Sequence, residues 1–325
     1  MLRTIPAFLA FLAVCSVHGT ASTPSASQPG VDSLGAADST GARAASDTVR
    51  SPAVEETGRA LGSGELREPV GIAADSRGFV YVADAMAGKV YRYAPDGGSL
   101  EFELPRDVAG FYPIDVAVQE SFILVLDYSR NGILRYDAEG SYLDVLLSFD
   151  EFTRTRPVSI TAGEGGRLLT TDVAHHTVAL WTPLLQRELV IGEFGRSPGS
   201  FNEPRKAAFL PDQRIVVAES GNKRLQFFSP AGGYEGVLQP PPGERLVAPR
   251  SIVVDEEGTI VVCDAGAGKL VLFSAGGVYL ETVASFGGRA ISPSAAAAVW
   301  DGRLYVADLA SRSVLVYRLV YRRGK

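Results

Sequence analysis

The sequence predicts an all-β protein, a six-bladed β-propeller of four-stranded antiparallel blades. Six times a proline opens an apolar run, an acidic residue ends the next run and an aromatic residue closes a third. The acid follows its proline by 15 residues, or by 14 in the second repeat, and the aromatic follows the acid by 9. This period of about 44 residues is typical of repeat architectures. The prolines are Pro69, Pro113, Pro157, Pro204, Pro249 and Pro293; the acids are Asp84, Asp127, Asp172, Glu219, Asp264 and Asp308; the aromatics are Tyr93, Tyr136, Trp181, Phe228, Phe273 and Tyr317.

Each repeat contains four short apolar segments. In the first repeat they are residues 70–74, 79–84, 90–93 and 100–104, which are separated by turns rich in Gly, Pro and Asp. Enrichment in β-branched and aromatic residues favours strands, and no segment has a helical period over three turns. One such unit is too small to bury its own apolar faces. We therefore expect the units to pack on one another as blades.

The two ends of the chain indicate how the ring closes. The sixth repeat supplies three clear strands, near residues 295–299, 303–307 and 314–318, and the chain then nearly stops. We expect residues near 54–61 to add the outer strand of the last blade, which would remove a free sheet edge. The alternative is that residues 319–322 fold back as that strand.

Two stretches of the chain carry a family resemblance. Residues 195–204 (GRSPGSFNEP), followed by residues 215–224, resemble an NHL repeat, and so do residues 69–73 with residues 80–84. The resemblance covers roughly residues 58–325 and implies a propeller. It implies less about function, because NHL-type propellers serve as enzymes, RNA binders, receptors and scaffolds.

The N-terminal region predicts export. Residues 1–21 have the layout of a signal peptide, with Arg3, an apolar stretch and small residues before a cleavage point after Ala21. Residues 12–15 also resemble a lipobox, in which Cys15 would carry a lipid, although Val14 departs from the small residue expected there. Residues 22–57 have no aromatic residue and are predicted to be a disordered spacer before a propeller at 58–325. We expect a periplasmic, cell-surface or secreted monomer whose only contact with a membrane would be a lipid anchor at Cys15.

Charge and cysteine content narrow the function classes. The net charge is −6, of which −4 belongs to residues 58–325, so a basic nucleic-acid-binding face is not expected. Cys263 is the single cysteine of the predicted propeller, which excludes an intrachain disulfide there. It occupies the position of Ala83 in the first repeat, so we expect a small buried side chain rather than a reactive thiol.

The repeated acid is interpreted as structural. A catalytic group is needed once, whereas a group that stabilises a turn is needed in every blade. A carboxylate at the end of the second strand can accept backbone N–H bonds from the turn that follows. Lys89, Arg224 and Lys269, five residues after their acids, could add ion pairs across that hairpin.

The candidate binding residues lie where the repeats differ, just after the prolines. If the first strand of each blade is innermost, Asp115, Arg205, Lys206 and Arg250 would gather at one mouth of the central channel as a mixed-charge rim. A rim with this cationic bias would suit a carboxylate, a phosphate or a sugar acid. The alternative is that these are ordinary solvated blade entrances.

The histidine pair is a weaker candidate. His175 and His176 lie at a predicted hairpin tip on the same face, and His175 is taken as a further ligand-binding residue. Adjacent side chains of an extended segment point in opposite directions, and no metal-ligand spacing accompanies the pair. No metal site and no cofactor are predicted, and the alternative for the pair is a solvated loop.

Among the proteins with NHL-like propellers, the amidating lyases hold zinc with histidines around the inner strands. None of the six predicted inner strands of this chain contains a histidine. The lactonase-type propellers use Asn, Asp and Glu around the channel, and this chain has few asparagines. The sequence thus favours an exported, non-enzymatic binding or scaffold propeller for a protein, a peptide or an anionic ligand. The alternative is an exported metal-dependent lyase or hydrolase.

Overall fold

A computed structural model describes residues 52–104, 110–149, 155–238 and 240–321 of the chain. These residues form 26 strands and one short 3-10 turn, Glu164–Gly166. None of the described helical structure is long and apolar enough to cross a membrane. The predicted signal peptide, the lipid anchor predicted at Cys15 and residues 22–51 of the predicted spacer lie outside the described residues.

The strands make six four-stranded antiparallel sheets, which confirms the predicted six-bladed propeller. The strand that precedes the first blade is β1 (Pro52–Leu61). Blade 1 comprises β2 (Pro69–Ala74), β3 (Val80–Asp84), β4 (Lys89–Tyr93) and β5 (Ser99–Glu101). Blade 2 comprises β6 (Pro113–Gln119), β7 (Phe122–Asp127), β8 (Gly132–Tyr136) and β9 (Tyr142–Ser148). Blade 3 comprises β10 (Pro157–Ala162), β11 (Leu168–Asp172), β12 (Thr177–Trp181) and β13 (Arg187–Ile191).

The second half of the ring follows the same order. Blade 4 comprises β14 (Pro204–Phe209), β15 (Ile215–Glu219), β16 (Arg224–Phe228) and β17 (Tyr234–Leu238). Blade 5 comprises β18 (Pro249–Val254), β19 (Ile260–Asp264), β20 (Lys269–Phe273) and β21 (Tyr279–Val283). A small hairpin, β22 (Ser285–Phe286) and β23 (Arg289–Ala290), leads to blade 6. Blade 6 comprises β24 (Pro293–Trp300), β25 (Arg303–Asp308), β26 (Ser313–Tyr321) and, outermost, β1.

The N-terminal strand closes the ring, as the sequence predicted. Strand β1 pairs antiparallel with β26, from Pro52 opposite Tyr321 to Leu61 opposite Val314. The alternative closure is wrong, because Leu319 and Tyr321 continue β26 instead of folding back. Residues 52–57, which the sequence analysis assigned to the spacer, form the first part of β1.

The core lies between the blades. Six apolar clusters fill the six interfaces between neighbouring blades, and each cluster draws its side chains from both partners. Between blades 6 and 1, for example, Tyr305 and Val316 pack with Val82 and Tyr93. Cys263 is fully buried at the interface between blades 5 and 6, where burial raises the pKa of its thiol to about 12. It is therefore a packing residue, as predicted.

The repeated acids accept hydrogen bonds from backbone N–H groups at the start of each blade, which confirms their structural interpretation. Asp84 is fully buried, and its oxygens accept hydrogen bonds from the backbone N–H groups of Arg67, Glu68 and Ala87 at 2.6, 2.9 and 3.0 Å. The acid thus ties the hairpin after β3 to the segment that leads into β2. Equivalent backbone bonds reach the acids of the other five blades.

The ion pairs expected beside these acids form in one blade of the three. Arg224 Nε donates to Glu219 Oε1 at 2.8 Å. Lys89 Nζ instead bonds Glu101 at 2.7 Å, and Lys269 Nζ bonds Glu244 at 2.5 Å. Both lysines therefore reach acids outside the repeated position.

The two ends of the propeller differ in the length of their connections. One end, which we call the loop face, carries the hairpin turns after the acids and the connections of seven to twelve residues between blades, such as 192–203. The other end, the turn face, carries connections of five residues or fewer, such as 75–79. Long connections at one end of a rigid scaffold are where binding residues usually concentrate.

Candidate functional site

The first strand of each blade is innermost, as the sequence analysis assumed. The inner strands contact one another in order around the ring. Each begins at its proline on the loop face and runs toward the turn face, where it ends at a short connection. The residues just after the prolines therefore lie at the loop-face mouth of the channel.

A repeated bulge shapes this mouth. In blade 4, Pro204 pairs with Glu219 and Lys206 pairs with Ala218, so Arg205 has no partner in the ladder. In blade 5, Arg250 is left over in the same way between Pro249 and Ser251. A bulge inserts an unpaired residue and re-aims its side chain. The two arginines are thus presented by the same local irregularity in adjacent blades.

The structure divides the four predicted rim residues into two pairs. Lys206 extends across the channel from blade 4 to blade 2, where its Nζ lies 2.5 Å from Asp115 Oδ2. The same Nζ donates to the carbonyl oxygen of Ile160 in blade 3 at 2.8 Å. The side chains of Lys206 and Asp115 are 13% and 6% exposed. They form a largely buried ion pair inside the channel, so the structure does not bring all four predicted residues together at the rim.

Backbone groups fix the Asp115 carboxylate in place. Its Oδ2 also accepts from the Ile160 N–H at 2.8 Å, and its Oδ1 accepts from the Val116 N–H at 3.0 Å. Blade 1 approaches closely here, because a Cβ on Gly71 would lie 2.5 Å from the Asp115 Cα. The pair therefore links blades 2, 3 and 4 at a point where the channel is narrow.

The second pair, Arg205 and Arg250, stays at the mouth. Arg205 is 18% exposed, and its Nη2 lies 3.2 Å from Glu203 Oε2. Its Nε–H is buried and has no hydrogen-bond acceptor. Burial lowers the pKa of the Arg250 guanidinium, and the nearby charge of Arg205 lowers it further, while Glu203 and Glu68 oppose both effects. We call Glu68, Glu203, Arg205 and Arg250 the mouth cluster.

One acid of the mouth cluster, Glu68, is affected by the same burial and charges. Burial raises the pKa of the Glu68 carboxyl, the charge of Asp84 adds to this effect and Arg250 opposes it. Tyr112 lies beside the cluster, and burial, assisted by the charge of Glu68, raises the pKa of its phenol to about 12. Tyr112 also packs edge-on against Tyr128, with ring centroids 6.2 Å apart. The cluster is thus a partly desolvated group of two cations and two anions beside aromatic rings.

His175 lies on the loop face, in the turn between β11 and β12, but outside the mouth cluster. It is partly exposed, and its Nδ1 lies 2.9 Å from Asp172 Oδ2. His176 contacts a different partner, since its Nδ1 accepts a hydrogen bond from the Glu203 N–H at 3.1 Å. The two imidazoles therefore serve separate contacts, and a ligand-binding role of His175 stays a prediction.

Sequence reasoning missed a set of exposed apolar side chains on the loop face. The side chains of Met86 and Phe194 are 66% and 70% exposed, and Leu104, Tyr128 and Val247 are also exposed. All five lie in loop-face turns and connections. Their signal in the sequence was weak, because single apolar residues in loops are common. Methionine and aromatic residues beside arginines are typical of the cores of protein interfaces.

The described residues contain no group of three or more His, Cys, Asp or Glu side chains that could hold a metal ion. The mouth cluster itself presents guanidinium and carboxylate groups. Arginine can bind a carboxylate with two parallel hydrogen bonds, and burial strengthens such contacts.

The architecture and its channel define a six-bladed β-propeller, and solved structures of this class resemble the chain. A virginiamycin B lyase from Staphylococcus aureus has a TM-score of 0.61 at 15% identity and covers 83% of this chain and 100% of its own. A gluconolactonase from Xanthomonas campestris has a TM-score of 0.63 at 16% identity, with 84% and 96% covered. A nidogen/laminin complex gives 0.53 at 16% identity, with 67% and 80% covered.

These likenesses establish the fold alone, since all are at or below 16% identity. The same architecture serves lyases, lactonases and a protein complex. No family model and no curated protein matches the chain. The resemblance to NHL repeats stays a prediction from the sequence.

Proposed function

We propose that the protein is an exported, non-enzymatic binding propeller of the NHL type, whose loop face captures a carboxylate carried by a peptide or a protein segment. The observation that carries this proposal is the Arg205 Nε–H, which is buried without an acceptor beside a second guanidinium, Arg250. A buried donor without a partner costs about 1–3 kcal/mol. A carboxylate at this point would accept that hydrogen bond from a charged donor.

The surroundings of the mouth cluster support a peptide rather than a small ion. The exposed side chains of Met86, Tyr128 and Phe194 would contact apolar residues of a longer ligand. An arginine anchor surrounded by exposed apolar side chains is the usual composition of a binding hot spot. The lyase and lactonase neighbours favour the enzymatic alternative only through a shared fold, which does not imply a shared function.

Peptide arrays would test the proposal. We expect the full chain to retain peptides that combine acidic and aromatic residues, and to lose those in which Gln and Asn replace Glu and Asp. Arg205→Met should weaken binding of a retained peptide about tenfold or more, because a charge-assisted hydrogen bond contributes about 1.5–3 kcal/mol. Fluorescence anisotropy with a labelled peptide would measure the affinity.

The matched control is Arg187→Met. Arg187 is exposed on the outer strand β13, away from the mouth, so its replacement should leave peptide affinity unchanged. Equal affinity of the Arg205→Met variant and the unaltered protein for every retained peptide would contradict the proposal. Preference for the amide peptides would do so as well.

Export is a separate part of the proposal, supported by residues 1–21 and the composition that follows them. We expect the mature chain to begin near Ser22, or at a lipidated Cys15. Mass spectrometry of protein recovered from native cells would identify the first residue. Chains that retain Met1 and occur wholly in the cytosol would contradict export.

A further inference from the structure

The channel contains a second feature on the side of Lys206 away from the mouth cluster. A cavity of about 230 Å³ lies between the later residues of the inner strands, toward the turn face. The described side chains that line it are apolar, such as Ile72, Val116, Ile160 and Ile252, apart from Lys206 and Thr161, and polar atoms form a comparable part of its surface. A dry apolar cavity of roughly 150 Å³ can hold a benzene ring. This cavity is therefore large enough for a six-membered ring with one substituent.

Lys206 supplies the hydrogen-bonding group of this cavity. An ammonium has three N–H donors, and two of them bond Asp115 Oδ2 and the Ile160 carbonyl at 2.5 and 2.8 Å. The hydroxyl of Thr161 already donates to the Ala207 carbonyl at 2.7 Å. Among the described side chains that line the cavity, Lys206 is thus the one with a donor left for a ligand.

The partner of Lys206 determines the charge of a suitable ligand. Asp115 already balances the ammonium, and both groups are almost fully buried. A second carboxylate here would lose its hydration and would be repelled by Asp115. An uncharged acceptor, such as a carbonyl oxygen, accepts the remaining N–H without either cost.

The position of Lys206 in the repeat favours a role beyond packing. The equivalent residues in blades 1, 3 and 5 are Gly71, Ser159 and Ser251, which are small. A buried ion pair often contributes no more stability than apolar residues of similar volume. The other blades pack without a lysine at this position, so packing of the ring alone does not explain Lys206.

We propose that this cavity binds a small, uncharged, mainly apolar molecule through one carbonyl-type acceptor, which accepts a hydrogen bond from Lys206. The site is independent of the mouth cluster and of the peptide proposed to bind there. Arg205 is not among the residues that line it.

Methyl NMR of the full chain would test this with three probes of similar size. Cyclohexanone has the acceptor, methylenecyclohexane lacks it and cyclohexanecarboxylate carries a charge. We expect cyclohexanone to shift the methyl signals of Ile72, Val116 and Ile160, and to bind at least tenfold more tightly than either of the other probes. A carboxylate that binds as tightly as the ketone would overturn the proposal, and so would the absence of methyl shifts with all three probes.

Two variants locate the binding. Ala162→Leu fills part of the cavity and should abolish the shifts, whereas Ala231→Leu adds the same bulk at an exposed outer turn and should preserve them. The double variant Lys206→Met with Asp115→Asn leaves no unpaired charge. In that variant the affinity for cyclohexanone should fall to that for methylenecyclohexane. Retained preference for the ketone would show that Lys206 is not the donor.

Discussion

Deletion of residues 52–61 is expected to lower the melting temperature of the propeller by about 10 °C or more. The deletion removes β1, whose eight residue pairs with β26 form the outer ladder of blade 6. At about 0.5–1.5 kcal/mol per hydrogen bond, this ladder contributes several kcal/mol. Each kcal/mol shifts the melting temperature by about 2–4 °C in a domain near this size. Circular dichroism on heating would measure the change.

Side chains of β1 add to the loss. Leu61 packs in the cluster between blades 6 and 1, and Thr57 Oγ1 donates to the Val316 carbonyl at 2.5 Å. Two contacts reach beyond blade 6: the Val54 N–H donates to Glu281 at 3.1 Å, and Arg59 Nη2 donates to the Pro95 carbonyl at 3.1 Å. The strand therefore joins blade 6 to both of its neighbours, and its loss opens the ring as well as a sheet edge.

Deletion of residues 22–45 is the matched control. The sequence predicts a spacer there, with no aromatic residue to form a core, so the melting temperature should stay nearly unchanged. A synthetic peptide covering residues 50–62 should restore stability to the chain that lacks β1. Equal effects of the two deletions would show that ring closure does not depend on β1.

Most of this fold could be predicted because the repeat constrains it six times. The spacing from Pro69 to Asp84 reflects an antiparallel pair in which these two residues are partners, and the same pairing recurs in every blade. Pro52 and Ala53, the start of β1, could not be predicted, because they precede the stretch near 54–61 and resemble the spacer in composition. They are ordered by pairing with a strand about 260 residues away in the sequence.

The candidate site could be predicted only in part. Differences between repeats identified Arg205 and Arg250, and the bulge that presents them recurs after the proline of the first five blades. The direction of Lys206 was not predictable, because its partner Asp115 lies 91 residues earlier in a blade two positions away. Local sequence also could not show that the Arg205 Nε–H lacks an acceptor. That property depends on the packing of several blades.

Replacement of Lys206 by Met alone is expected to destabilise the propeller by about 3–5 kcal/mol. The substitution keeps the length of the side chain but leaves the Asp115 carboxylate buried without its cation, and breaking one side of a buried pair has a cost of this size. The sequence analysis placed Lys206 in the mixed-charge rim and did not pair it with Asp115. Urea unfolding at constant pH would measure the change in free energy.

The neighbouring arginine provides the sharpest comparison. Arg205→Met removes a pair with Glu203, which is 46% exposed, so the free energy of unfolding should change by about 1 kcal/mol or less. Adjacent residues of one strand would then have different roles. Arg205 would bind a peptide at the mouth, and Lys206 would stabilise the packing of blades 2, 3 and 4 around the channel. Adding Asp115→Asn to Lys206→Met should recover most of the lost stability, because no buried charge is then unpaired. If Lys206→Met and Arg205→Met cost the same, or if the second substitution recovers nothing, the buried pair does not link blades 2, 3 and 4 as described.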